Sequence, residues 1–442
     1  MFEKNDDKDL QQMRLRDQRE ELKRRTVYVP QMNYAGSRAL AAALRSVGIN
    51  AAVSPDDNRI GFDLAGKYLS GDECLPERVT LGGLLKILID EKIDAKDVAF
   101  FMPTAGGPCR FGQYRTLIQK ILTDIGFEDA IILSPSSHDG YAGLTDASNE
   151  LMRTAWWSVV SSDILMKLLL RTRPYELNSG ESDQIFERST GDICSVLEKR
   201  NKLKEKFREL QAVLIRIRDE FRAIPATYTK DRPLIGILGE IFCRMNPFSN
   251  EDLVRRVEDL GGECWVSDIS EWIWYTNRET RKRIVDSGNS FSRDMIFDMI
   301  KNRIQRHDEH RLIKPFHEDL KGYEEPEDIN IILEASLPYL PVDGALGEMV
   351  LTVGKSIYLY GKGIDGIIDI SPFTCMNGIA TESVFPNLSR DYDNIPIKNF
   401  YFDGTVTNLE ADLDIFLELA KNYHRSKKRQ RVYPQCFESI QN

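Results

Sequence analysis

The chain has no unbroken apolar run of the roughly 20 residues that a bilayer-spanning helix needs. Its most apolar stretch, TAWWSVVSSDILMKLLL (154–170), is cut by Asp163 and Lys167 and reads as a buried helix. Positive charge is also scarce: 59 Lys and Arg face 69 Asp and Glu, a formal charge of −10. That balance argues against a surface built to neutralise nucleic-acid phosphates and leaves room only for a local anion pocket. Cysteines number seven. An odd set of thiols at wide spacings is not a disulfide framework, so any working cysteine here is a thiolate ligand or a nucleophile. The opening residues, MFEKNDDKDLQQMRLRDQREELKRR, alternate acids and bases without an apolar core. No signal peptide is legible in them, and the expected compartment is the cytoplasm.

What is present is enough apolar sequence for several cores. At 442 residues and 42% hydrophobic, the chain exceeds the size at which a single core stops growing. Residues 1–25 read as a charged leading helix or arm. Over 26–150, strand patterns alternate with helical ones: VYVPQM, SRALAAALRSVG, INAAVSP, LGGLLKILID, VAFFMP, a helix over 117–125, and AIILSP. Over 151–228 the strands disappear, and Leu203, Phe207, Leu210, Leu214, Ile217 and Phe221 form one helical stripe. Over 229–442 the alternation resumes with RPLIGILGE, a helix over 250–260, ECWVSD, a helix over 346–360, GIIDIS, KNFYFDG and a last helix ending near Tyr423. The expected fold is α/β: two Rossmann-like domains with parallel sheets, joined by a helical segment. The cleft between such domains is the default place for a ligand. The Lys- and Arg-rich tail after Arg425 has no evident role.

Three cysteines occupy unusual loops. Cys74 lies in SGDECLPERVT, Cys109 in TAGGPCRFGQYR and Cys375 in SPFTCMNGIATE. Each follows an extended or turn segment, has a proline within three residues and immediately precedes a helical pattern. Such loops suit an iron–sulfur cluster. Helix N-termini and glycine-rich loops present free N–H groups to a bulky anion, and small residues such as Gly106 and Gly107 let the backbone approach the sulfurs. Spacing alone leaves other readings open, because a lone cysteine is usually a small buried hydrophobe. A structural zinc site would need a fourth ligand, for which the five histidines (138, 307, 310, 317 and 424) are the candidates. A nucleophile would be Cys109, beside Arg110 and a helix start; that reading leaves Cys74 and Cys375 unexplained. Cys194, Cys243, Cys264 and Cys436 read as ordinary structural or surface residues.

The stretches GDECLP, GGPCRFGQY and PFTCMNG, together with GEIFCRMNPFSN (239–250) and FYFDG (400–404), resemble the dehydratase-like module of acyl-CoA dehydratase activase-related proteins. These belong to the superfamily of 2-hydroxyacyl-CoA dehydratase and benzoyl-CoA reductase subunits. The resemblance runs in order over nearly the whole chain. It implies that Cys74, Cys109 and Cys375 together hold a four-iron four-sulfur cluster in an interdomain cleft, with the fourth iron position open to water or a thioester carbonyl.

The resemblance further implies a separate ATP-hydrolysing activase as electron donor, and an acyl-CoA substrate reduced by one electron to a ketyl radical anion so that an unreactive hydroxyl can leave. A homo- or heterodimer fits the same pattern. The activase domains often fused ahead of this module have no counterpart in the first 30 residues. Asn377 stands where relatives carry proline after the Cys-Met pair. A double-cubane cluster would need about six thiolates, against three cysteines in family motifs here. Arg110, Gln113, Glu240, Arg244 and Glu382 lie near the motifs as polar candidates. The competing function is a non-enzymatic iron–sulfur relay or maturation partner.

Overall fold

The computed structural model describes residues 20–104, 109–134, 147–345, 347–405 and 408–437. It is α/β, with two four-stranded, all-parallel sheets in two Rossmann-like domains. The chain divides into two compact units, 1–158 with 190–210 and 159–189 with 211–442. The helical stretch after residue 147 thus contributes to both.

In the first unit the strands are β1 (Thr26–Val29), β2 (Ala51–Val53), β3 (Val98–Phe101) and β4 (Ile131–Leu133), in the order β2-β1-β3-β4. The central β3, VAFF, is buried at every position, as expected of a strand covered on both faces. Pro30 has no N–H to donate, so β1 ends before it. Helix α1 (Tyr34–Ser46) follows, its first turn capped by the Asn33 side chain accepting from the Gly36 N–H. Helix α2 (Arg59–Gly66) is a short element between polar loops, absent from the sequence reading. Its Gly61 packs against Gly82 of α3 (Leu75–Leu85) so closely that a Cβ on Gly82 would lie 2.4 Å from the Gly61 carbonyl oxygen. Helix α3 begins directly after Cys74, six residues earlier than the LGGLLKILID pattern suggests. Helix α4 (Tyr114–Asp124) leads from the Cys109 loop to β4.

Three long helices follow: α5 (Ser148–Thr172), α6 (Glu181–Leu197) and α7 (Leu203–Ala223). The predicted stripe on α7 is buried from Phe207, at 5% exposure, to Phe221, at 1%, while Leu203 at its start is half-buried.

The second unit repeats the strand order of the first. Its strands β5 (Leu234–Gly239), β6 (Glu263–Val266), β7 (Gly366–Pro372) and β8 (Ile397–Phe402) run β6-β5-β7-β8. After β5 come α8 (Ile241–Met245) and α9 (Leu253–Asp259). Between β6 and β7 the chain inserts α10 (Ile269–Asp286), α11 (Arg293–Ile313) and α12 (Ile329–Ser336) before α13 (Met349–Lys362). Helices α14 (Met376–Asp391) and α15 (Leu409–Ser426) follow β7 and β8.

The tail beyond Arg425 has a structural role that the sequence did not disclose. Arg431 is buried and makes a two-pronged ion pair with Glu263 at the start of β6, Nη1 to Oε2 at 2.8 Å and Nη2 to Oε1 at 3.0 Å. The Tyr175 hydroxyl donates to the same carboxylate at 2.7 Å, and Lys427 pairs with Asp365 at 2.6 Å. Phe437 packs edge-on to Tyr175, with ring centroids 5.2 Å apart. Among the described residues no helix is long and apolar enough to cross a membrane.

Candidate functional site

Each of the three motif cysteines is the N-cap residue of the helix that follows it: Cys74 of α3, Cys109 of the 3-10 turn Arg110–Gln113, and Cys375 of α14. All three have extended backbones, with φ/ψ of −75°/153°, −66°/133° and −68°/122°. An extended N-cap leaves the first-turn N–H groups without helical carbonyl partners. Where the cap side chain is a sulfur, those donors and the positive end of the helix favour a sulfur that carries charge.

In the first unit, two contacts tie the Cys74 and Cys109 loops together. The Cys74 Sγ lies 2.6 Å from the Tyr114 hydroxyl at the start of α4. The Arg110 guanidinium donates to the Asp72 carbonyl oxygen, two residues before Cys74. The Cys74 loop is itself folded on Glu73, whose carboxylate accepts from the Ser70 and Gly71 N–H groups at 3.1 and 2.9 Å. Beneath it, Glu77 is 3% exposed and its Oε1 has no hydrogen-bond partner among the described residues. Burial, then the Glu73 charge, push the Glu77 carboxyl up to about 7, while Arg110 pulls in the opposite direction. Arg110 therefore serves both loops rather than only the solvent. Gln113 is the last residue of the 3-10 turn and N-cap of α4. Gly106 and Gly107 lie outside the described residues.

In the second unit, Cys375 follows β7. The preceding Thr374 sits at φ +65°, a left-handed conformation that is strained for a β-branched side chain. Burial pushes the Cys375 thiol up to about 12, against the smaller opposing pull of the Gly378 and Asn377 N–H groups. A bare thiolate is therefore disfavoured there, and a bound cation would reverse that balance. A proline at 377 would have no backbone N–H, which Asn377 has. Gly378 is required by space, since a Cβ there would lie 2.5 Å from the Ser371 Oγ. Asp369, buried on β7, braces this corner by accepting from the Thr381 hydroxyl at 2.6 Å and the Asn399 amide at 2.7 Å. Burial raises its carboxyl to about 7.

The polar candidates divide. Glu240 caps α8, accepting from Phe242 and Cys243 N–H groups at 3.1 and 2.8 Å, and burial raises its carboxyl. Arg244, 7% exposed, donates to the Gly239 carbonyl at 2.7 Å, and its Nε has no hydrogen-bond partner among the described residues. It lines a narrow recess at the C-terminal ends of β5 and β6 with Ser267, Trp272, Glu348 and Lys355. Glu348, which sequence reasoning missed, is the N-cap residue of α13 and accepts from the Ile241 N–H at 2.9 Å. Burial, then the neighbouring Glu240, raise its carboxyl to about 8. After burial, the Glu240 and Glu348 charges also raise the Cys375 thiol. Glu382 is exposed and accepts from the Tyr401 hydroxyl at 2.6 Å, a surface contact.

The other cysteines are set apart from this pattern. Cys243 and Cys264 are 0% and 2% exposed. Cys194 lies within α6, where burial raises its thiol to about 11, and the Cys436 sulfur accepts from Arg171 at 3.3 Å. Of the histidines, His424 pairs with Asp365 at 3.0 Å and His307 with Asp308 at 3.2 Å, while His138 lies outside the described residues. Among the described residues no three His, Cys, Asp or Glu side chains converge as they do around a single metal ion. No protein-family model matches the sequence, and no curated protein matches it.

Proposed function

We propose that Cys74, Cys109 and Cys375 are the thiolate ligands of one four-iron four-sulfur cluster in a cytoplasmic protein. A separate ATP-dependent activase supplies it with low-potential electrons for the radical dehydration or reduction of a CoA thioester. The observation that carries this reading is the shared placement of the three thiols. These three, out of seven, are helix N-cap residues in extended loops, two of them in the loops that follow the third strand of a sheet. A cubane spaces its ligand sulfurs by its own width, so they need not converge as they would around one zinc ion.

When bound, such a cluster offers one iron position to a substrate oxygen and passes single electrons. The protein's own contribution is the surroundings. Asn377 and Gly378 lie in the first turn of the helix that Cys375 caps, and the Tyr114 hydroxyl contacts the Cys74 sulfur. Burial raises the Glu77 and Glu348 carboxyls to about 7 and about 8, which reduces the uncompensated negative charge they would place near an already anionic group.

Anaerobic reconstitution with iron and sulfide, followed by metal and sulfide analysis, tests the proposal. The expected result is about four irons per chain in the wild type, lost on Cys74→Ala, Cys109→Ala or Cys375→Ala and kept on Cys194→Ala. One zinc per chain with no sulfide would overturn it. Turnover of acyl-CoA thioesters with an activase and ATP then separates an enzyme from an electron relay.

A further inference from the structure

Tyr114 is 5% exposed and belongs to the apolar core that also contains Cys74, Met102 and Ile118. A buried tyrosine hydroxyl is costly unless it finds a hydrogen-bond partner. This one lies 2.6 Å from the Cys74 sulfur, 40 residues away in sequence. Its ring is held on the other side by Phe111, edge to face, with centroids 5.2 Å apart and planes at 87°. Phe111 belongs to the 3-10 turn that Cys109 caps, and Arg110 of the same turn donates to the Asp72 carbonyl beside Cys74. The hydroxyl is thus fixed at the sulfur by packing rather than by its own freedom to rotate.

We propose that Tyr114 is a positioning residue that donates its O–H to the Cys74 thiolate and thereby sets the reduction potential of the group Cys74 ligates; this rests on the cluster reading above. The physical basis is differential. A hydrogen bond to a ligand sulfur stabilises the reduced cluster, which carries one more negative charge, more than the oxidised one. Removing the donor therefore lowers the potential and makes the cluster harder to reduce. Tyr114→Phe removes only the hydroxyl and keeps the ring against Phe111. Phe111→Leu is the complementary variant, which loosens the ring but keeps the hydroxyl.

The experiment is redox titration of the anaerobically reconstituted wild type, Tyr114→Phe and Phe111→Leu, monitored by EPR, with iron and sulfide counted on the same samples. The expected result is unchanged iron content in Tyr114→Phe, a midpoint potential shifted to more negative values, and a smaller shift in Phe111→Leu. Equal potentials in wild type and Tyr114→Phe, with iron retained in both, overturn the role of Tyr114 and leave the cluster assignment standing. Loss of iron from Tyr114→Phe comparable to that from Cys74→Ala overturns it too, because Tyr114 would then serve assembly rather than tuning. Absence of iron and sulfide from the wild type itself overturns the cluster assignment and the tuning role together.

Discussion

Replacing Arg431 by alanine removes one partner of a charge pair whose other member has no access to water. Glu263 is 0% exposed, and its two oxygens receive the two prongs of the Arg431 guanidinium at 2.8 and 3.0 Å and the Tyr175 hydroxyl at 2.7 Å. In the variant the carboxylate keeps its two tyrosine donors, the hydroxyls of Tyr175 and Tyr323, but loses its only ion-pair partner among the described residues. Stranding a buried charge costs about 3–5 kcal/mol, well above the net worth of the pair itself, because desolvation is no longer offset. The loss should be partly recovered by adding Glu263→Gln, which keeps an acceptor for a tyrosine hydroxyl and removes the charge. Urea denaturation followed by tryptophan fluorescence reads both variants, with Trp265 as a local reporter because its ring lies 5.4 Å from that of Tyr323. Arg431→Ala should fall by about 3–5 kcal/mol, and the double variant by less. A loss below about 1 kcal/mol for Arg431→Ala, the level of an exposed pair, would refute the reasoning and return the tail to an ornamental basic end.

Two further outcomes are expected. Glu348 keeps its proton in the folded protein up to about pH 8, whereas the unfolded chain releases it near the usual carboxylate value. Between those limits the folded state binds more protons, so this group makes stability fall as pH rises. Glu348→Gln removes that slope. At about 1.4 kcal/mol per pH unit, the span from 4.5 to about 8 sets a ceiling of about 5 kcal/mol on its gain over wild type at pH 8. Denaturation at pH 5, 6.5 and 8 should show the gain growing with pH, and parallel profiles would contradict it. Gly239, at φ +102°, turns the chain from β5 into Glu240 and leaves no room for a side chain, since a Cβ would meet the Ile370 carbonyl oxygen at 2.1 Å. Gly239→Ala should therefore cost about 3 kcal/mol or more through strain and displacement of β7. A melting temperature within a degree of wild type would show that the turn can relax.

The strands were legible because a doubly covered parallel strand needs consecutive apolar residues, and VAFF, LIGILG and GIIDIS have them. Helix boundaries were less so. The start of α3 at Leu75 was announced by Pro76, a residue favoured in the first turn of a helix, but LGGLLKILID carries the stronger apolar pattern and drew the expected start to residue 81. Helix α2 has eight residues, too few for a periodic signal, and only its Asn58 cap marked it. At the candidate site, the placement of each cysteine before a helix is a local property and could be read directly. What each sulfur touches is not local: Tyr114 reaches Cys74 across 40 residues and Arg431 reaches Glu263 across 168.

Glu348 escaped detection for a topological reason. Both sheets have the same strand order, so positions can be matched between units. Cys109 and Cys375 each follow the third strand. Cys74 caps α3, the last α-helix before the third strand of its sheet, and Glu348 caps α13, which has the same place in the other. The second unit thus carries a protonated carboxyl where the first carries a thiol. The correspondence is hidden in sequence because α10, α11 and α12 are inserted between β6 and α13, so no common spacing survives. On the cluster reading proposed above, a thiolate at both positions would give four sulfur ligands rather than three. A buried carboxyl held neutral at one of them can donate a hydrogen bond instead. On that proposed reading, the two units contribute unlike groups at matched positions, a thiol in one and a carboxyl in the other.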